Sequence, residues 1–199
     1  MNTRRFAYLL LILGLWLGLG GCATTPPVTL VSPGPVEVGS LTVTAGTGWN
    51  NLTADKSPQR AAWTRDGLTI DRLWVFADIA DGETLYPEPK GSGAALPRFR
   101  ATMLPNELVA FTESYIGKMF GEGDAVVTTS NLRPHRFGAH NGVMFDAAVE
   151  PAGGADRKGL VGAFIADDKL FLVMYLAVEP YYFDLNRQAA REVIVSGRR

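Results

Sequence analysis

Leu160-Val161-Gly162-Ala163-Phe164-Ile165, then Ala166-Asp167-Asp168-Lys169, then Leu170-Phe171-Leu172-Val173-Met174-Tyr175-Leu176-Ala177-Val178 is the stretch that decides the fold. Two apolar arms flank a pair of turn-forming aspartates, the pattern of a β-hairpin whose strands are buried on both faces. Pro180 cannot continue the second arm as a central strand. Asp184 is then placed to cap a last helix over about Leu185–Ser196, with Leu185, Ala189 or Ala190, Val193 and Ile194 as its apolar stripe.

Working back toward the amino end, Val143, Phe145, Ala147 and Val149 alternate within Gly142–Glu150, and Val126–Leu132 precedes them as another strand candidate. Pro105–Phe120 has a different period. Leu108, Phe111, Tyr115 and Met119, flanked by Thr112 and Ile116, lie on one helical face, with Asn106 as the expected N-cap and Gly121 and Gly123 as the stop. Residues 87–99 hold three prolines and two glycines and read as a surface loop. Leu68, Ile70, Leu73–Phe76 and Ile79, between Asp66-Gly67 and Asp81-Gly82, are too apolar for an edge and are predicted to form a central strand. Trp49–Leu52 and Ala61–Thr64 are short pieces, and Val36, Val38, Leu41 and Val43 form a strand or hairpin with Gly39 as a bulge. The order is strands, helix, four strands, helix. One antiparallel sheet with the helices packed on it buries both helical stripes, so the fold class is α+β. A domain of about 150 residues buries about 68–70% of its unfolded surface, enough to fold alone.

The first residues are different in kind. Arg4-Arg5 is followed by Phe6–Leu19, a run without charge, and then by Gly20-Gly21-Cys22. Charged start, apolar run and small residues make the three-part layout of a secretory signal. The run is short of the roughly 20 apolar residues of a membrane span. Leu19-Gly20-Gly21-Cys22 resembles the lipobox of bacterial lipoproteins, in which the cysteine thiol takes a diacylglycerol. Residues 1–21 are then the signal peptide and Cys22 the lipidation site. A generic signal cut nearby and a retained anchor helix are the competing readings. Lipidation consumes the thiol, which excludes it from catalysis, and several acyl chains give stable anchoring where one holds marginally. Ala23, rather than Asp, follows the cysteine. By resemblance to sorted lipoproteins this implies the periplasmic face of the outer membrane. Arg4-Arg5 with Phe6-Ala7-Tyr8 fits twin-arginine export poorly. Residues 22–35 form the lipidated cysteine and a tether, with four prolines in 23–35. At about 3.1 Å per residue the tether spans about 30–40 Å. Residues 36–199 are the single domain.

Composition narrows the function. The 199 residues are 47% hydrophobic, which excludes wholesale disorder. Nineteen Lys+Arg against 20 Asp+Glu lack the basic excess of a nucleic-acid binder, and removal of residues 1–21 leaves 17 against 20. A single cysteine excludes a disulfide framework within the chain and a Cys-rich zinc site.

Trp63-Thr64-Arg65-Asp66-Gly67-Leu68 entering a long strand, Pro105-Asn106-Glu107-Leu108 opening the helix, Phe137-Gly138 shortly before Gly142, Lys169–Tyr175 and Tyr182-Phe183 before a helix closing at Ser196 carry a resemblance to the PsbP/Mog1-like family. It covers about residues 36–197 and is similar also to short proteobacterial envelope lipoproteins. The resemblance implies an α/β/α sandwich. Because that scaffold serves photosystem accessory proteins and a small-GTPase-binding factor alike, it transfers no activity and no binding residue.

The search for chemistry is thin. His135 and His140 with Asp146 lack a third ligand at metal spacing, and no His-Glu-x-x-His occurs. Gly91-Ser92-Gly93 is not a nucleophile elbow, and Ser92 or Ser130 with His135 and Asp146 is one arrangement among many. Asp66, Asp71, Asp78, Asp81 and Glu83 gather near one strand, but Asp66 and Asp81 read as turn residues and Asp71 and Asp78 as solvated-face residues. No phosphate loop is present in Gly117–Gly123. No catalytic residue, metal site or cofactor is expected. Of the many aromatics, which chiefly suit a core, Tyr181-Tyr182-Phe183 is the best candidate for a partner- or ligand-binding face. The expectation is a lipid-anchored periplasmic binding or accessory module with an envelope protein partner. The alternatives are a carrier or sensor of a small apolar ligand and a hydrolase with an unrecognised site.

Overall fold

The computed structural model describes residues 28–52, 57–88, 95–121 and 123–199. Cys22, the signal segment and Ser92 lie outside them. The strands are β1 (Thr29–Leu30), β2 (Gly34–Val38), β3 (Leu41–Ala45), β4 (Asn50–Asn51), β5 (Arg60–Thr64), β6 (Asp71–Ile79), β7 (Ala125–Phe137), β8 (His140–Pro151), β9 (Arg157–Ala166) and β10 (Lys169–Val178). The helices are α1 (Pro105–Met119) and α2 (Tyr181–Val195). Eight strands form one antiparallel sheet in the order β1-β4-β5-β6-β10-β9-β8-β7, and β2–β3 is a separate hairpin.

The hairpin quoted above sits at the centre. β9 and β10 pair from Lys169↔Ala166 to Val178↔Arg157, and β10 pairs with β6 on its other side. Asp167 and Asp168 both have positive φ (47° and 58°), as a two-residue turn matched to strand twist demands. Alternation along β10 divides two cores. Leu170, Leu172, Met174 and Leu176 face α1 together with Trp74, Phe76, Leu108, Phe111, Tyr115 and Ile116. Phe171, Val173, Tyr175 and Ala177 face α2 and the β2–β3 hairpin together with Leu41, Val43, Trp49, Trp63, Phe183, Val193 and Ile194. The result is three layers: α1, the sheet, and α2 with the hairpin.

Two bulges set side chains in place. Asp78 (φ 54°) interrupts the β6–β10 register, so Phe76 and Ile79, three residues apart, both face α1. Asn131 (φ 54°) lies where the β7–β8 register shifts between Ser130 and Arg133. Asp and Asn tolerate this left-handed conformation better than other side chains. Pro134 lies in β7, the outermost strand, where its missing N–H breaks no ladder.

Several boundaries depart from expectation. The chain joins the fold from Thr29, where β1 pairs with β4 and Val31 is buried, so the tether boundary after residue 35 falls inside β2. Gly39 (φ 54°) is the turn of the β2–β3 hairpin rather than a bulge. Leu68 is exposed, and the central strand starts at Asp71. Leu104, not Asn106, is the N-cap of α1, and its N–H donates to Glu107 Oε2 at 2.7 Å. Pro180, after a cis Glu179–Pro180 bond, caps α2, which puts Asp184 in the first turn. Phe99, at the end of the expected loop, is fully buried against Phe111.

Candidate functional site

The layer that holds α2 leaves a groove along its exposed side. The floor is the α2-facing surface of β7, β8 and β9, where the row Ser130–Asp146–Leu160–Tyr175 runs from the rim into the core. The Asn131 bulge brings Ser130 and Arg133 onto this one face. Asp184, Arg187, Gln188 and Arg191 form the helical wall at steps of three and four, and Phe183 lies at its base. The groove is about 570 Å³ in volume and is open to solvent.

Its charge is unbalanced. Arg133, Lys158, Arg187 and Arg191 face Asp146 and Asp184 on a chain of net charge −1. Arg133 bonds Asp146 Oδ1 through both Nη atoms at 3.2 Å, and Asn131 Nδ2 donates to Asp146 Oδ2 at 2.7 Å. Asp146 is thereby committed to the bulge. Lys158 pairs with Glu179, whose hydrogen bond and charge raise the lysine pKa. Arg187 and Arg191 have no ion-pair partner among the described residues and are exposed to solvent. Like charges at this spacing repel on a helix, a cost that Asp184, three residues before Arg187, offsets only in part.

His135 records that field. It lies on β7 beyond Arg133, its ring edge-on to Phe137 at 4.6 Å, with Nε2 buried and unpartnered. Burial lowers its pKa, and the nearby Arg191 and Arg133 lower it further against a raising backbone bond at Val195. His140 instead stacks on Phe164 (5.6 Å), which stacks on Phe137 and Phe171. The histidines therefore pack as rings. Among the described residues no three His, Cys, Asp or Glu side chains gather as a ligand set.

The carboxylates near β6 hold loops. Asp71 is buried and is not on a solvated face. It accepts from Thr64 Oγ1 (2.6 Å) and from the N–H groups of Arg65 (3.1 Å) and Asp66 (2.9 Å). Asp78 accepts from Ser40, Asp66 from Asn186, Asp81 from the Ala101 N–H and Glu83 from the Ala80 N–H. Each of the five thus accepts from a protein donor.

Tyr181, Tyr182 and Phe183 occupy the first turn of α2 and diverge. Tyr181 is 65% exposed, Tyr182 is half-buried against the core, and Phe183 is buried, stacked on Tyr175 at 6.3 Å. Only Phe183 lines the groove. Trp49, Trp63, Trp74, Tyr115 and Tyr175 are all core residues. The groove cations belong to no sequence motif. Arg187 and Arg191 are readable as an i, i+4 like-charge pair, but Arg133 joins them through a bulge that no local pattern announces.

No protein-family model and no curated protein sequence matches the chain. Among solved structures it is similar to the cyanobacterial PsbP, CyanoP, of Synechocystis sp. PCC 6803, with a TM-score of 0.55 and 13% identity, covering 90% of this chain and 98% of that one. A mutant of the protein Mog1 aligns with a TM-score of 0.39 and 9% identity, covering 83% and 88% of the two chains. A large antiparallel sheet between α1 and α2, matched over nearly the whole of CyanoP, makes this a PsbP-like α+β fold, the architecture expected from the sequence.

Proposed function

We propose that the chain is an envelope lipoprotein, anchored through lipid on Cys22 at the periplasmic face of the outer membrane, whose folded body is a non-catalytic module that binds an acidic segment of a partner protein in the α2 groove. The observation that carries the binding reading is the pair Arg187 and Arg191, exposed and unpaired on the wall of a groove with four cations against two carboxylates. Charge of one sign in a cleft steers and selects a partner of the opposite sign. A lipid anchor raises the local concentration of the module near membrane partners. The groove is open to solvent along α2, which admits a segment of another chain, and Asp146 bonds Asn131 and Arg133 instead of orienting a histidine. The groove between sheet and helix is walled by charge, which disfavours the carrier of an apolar ligand.

Two experiments test the two halves. Fatty-acid labelling of wild type against Cys22→Ser reads the anchor, and an unlabelled wild-type protein overturns it. A photo-crosslinker at Gln188 in growing cells should trap a discrete protein adduct that disappears with Arg187→Glu/Arg191→Glu and weakens as salt rises. An adduct indifferent to charge reversal, or none, overturns the groove reading.

A further inference from the structure

On the opposite face of the sheet, Arg72 of β6 and Arg157 of β9 flank β10, paired across it with Leu176 and Val178 respectively. Both lean onto aromatic rings: Arg72 over Trp74 at 5.1 Å and Arg157 over Phe120 at 5.7 Å. Both are clamped to the same turn. Arg72 Nη2 donates to the Leu68 carbonyl (3.0 Å), and Arg157 donates from Nη1 to Ile70 (3.2 Å) and from Nη2 to Thr69 (2.7 Å). These bonds leave Nε–H of each guanidinium buried and without an acceptor. The two arginines line one cleft of about 160 Å³, walled otherwise by Leu68, Trp74, Met119, Phe120 and Leu176. Among the described residues no carboxylate lines it. Burial holds Arg72 below the ordinary arginine range, offset in part by Tyr86 and reinforced by Arg157, while burial alone lowers Arg157.

Two adjacent cations, each taken partly out of water and each with an unused donor, are unfavourable unless an anion completes them. A planar guanidinium fork fits two oxygens of one group, and aromatic stacking fixes its plane in advance. We propose that Arg72 and Arg157 form a binding site for a small oxyanion, a phosphate- or carboxylate-bearing group that accepts from both Nε–H donors at once. The site is separate from the α2 groove, on the other side of the sheet, and its test is independent of the groove's.

The test uses the Nε–Hε resonances of the whole folded protein, read by nitrogen-resolved NMR during titration with inorganic phosphate and, separately, with acetate, each at matched ionic strength against sodium chloride. The Arg72 and Arg157 signals are expected to move together along one saturating curve while those of Arg187 and Arg191 follow chloride. Saturation by phosphate alone assigns a phosphate group, by acetate alone a carboxylate, and by both the shared oxyanion chemistry. Arg157→Lys keeps a cation but removes the fork, and affinity should fall about tenfold. If neither anion moves the two signals beyond the chloride control, the buried donors are served by water and the proposal is overturned. That readout on the wild-type protein stands even where a variant folds poorly.

Discussion

Asp78 grips Ser40 by both of its donors: Oδ2 accepts from the Ser40 backbone N–H at 2.7 Å and Oδ1 from its hydroxyl at 2.7 Å. One residue thus ties the β2–β3 turn to the bulge of β6. Burial pushes the Asp78 carboxyl up, but the two Ser40 bonds and Lys169 at 3.6 Å more than offset it, and its pKa is lowered. A lowered carboxylate stabilises the fold above the unfolded pKa of about 3.9 and loses that contribution as pH falls through the folded value. Asp78→Ala should cost about 2 kcal/mol at neutral pH from lost charge-assisted bonds, and the loss should shrink in acid. Urea unfolding at pH 7 and pH 3 checks this; an equal loss at both would contradict it.

Asp71 satisfies three donors at the β5–β6 turn from a fully buried position. Removing the acceptor strands those donors. Asp71→Ala is expected to cost about 3 kcal/mol, against about 2 kcal/mol for Thr64→Val, which deletes one donor to Asp71 and the hydroxyl that accepts from the Gly67 N–H. Chemical denaturation of the two variants reads the difference.

At Gly162 the sheet leaves no room for a side chain beneath α2. A Cβ there would stand 2.5 Å from Ile194 Cγ2 and 2.9 Å from Phe137 Cζ. Gly162→Ala should destabilise by about 1–3 kcal/mol through overpacking, and shortening Ile194 to Val in the same chain should recover part of the loss. A neutral Gly162→Ala would mean that the helix rides higher than described.

His135 folds with its pKa below the usual 6.5. The unfolded chain therefore takes up the proton first, and stability falls as pH drops below about 6.5 toward the folded value. His135→Gln should flatten stability over that window. Arg191→Gln should move the histidine back upward, as proton NMR titration of its Cε1–H would show; an unchanged titration would place Arg191 too far away to act.

How far the sequence reaches is visible at particular residues. The arms of β9 and β10 are readable because both faces are apolar from Leu160 to Ala166 and from Leu170 to Val178, and α1 because Leu108, Phe111 and Tyr115 keep one period. Asp71 and Asp78 are not readable: alternation assigns them to solvent, while a turn and a bulge return them to protein donors. The α2 groove stays hidden for the same reason, since Arg133 reaches the arginines of α2 through the extra residue at Asn131 and a contact distant in sequence. Composition predicts a slightly acidic protein and says nothing of where its cations gather.

The rim formed by β7 has a last consequence. Asn131 kinks that strand, and Pro134 leaves a gap in its row of amide donors, while the opposite rim, β1, is only two residues long. A neighbouring copy seeking to stack edge to edge meets a ladder broken at Asn131 and Pro134 on one side and a two-residue strand on the other. Strand addition by a second copy along the full length of β7 is therefore opposed.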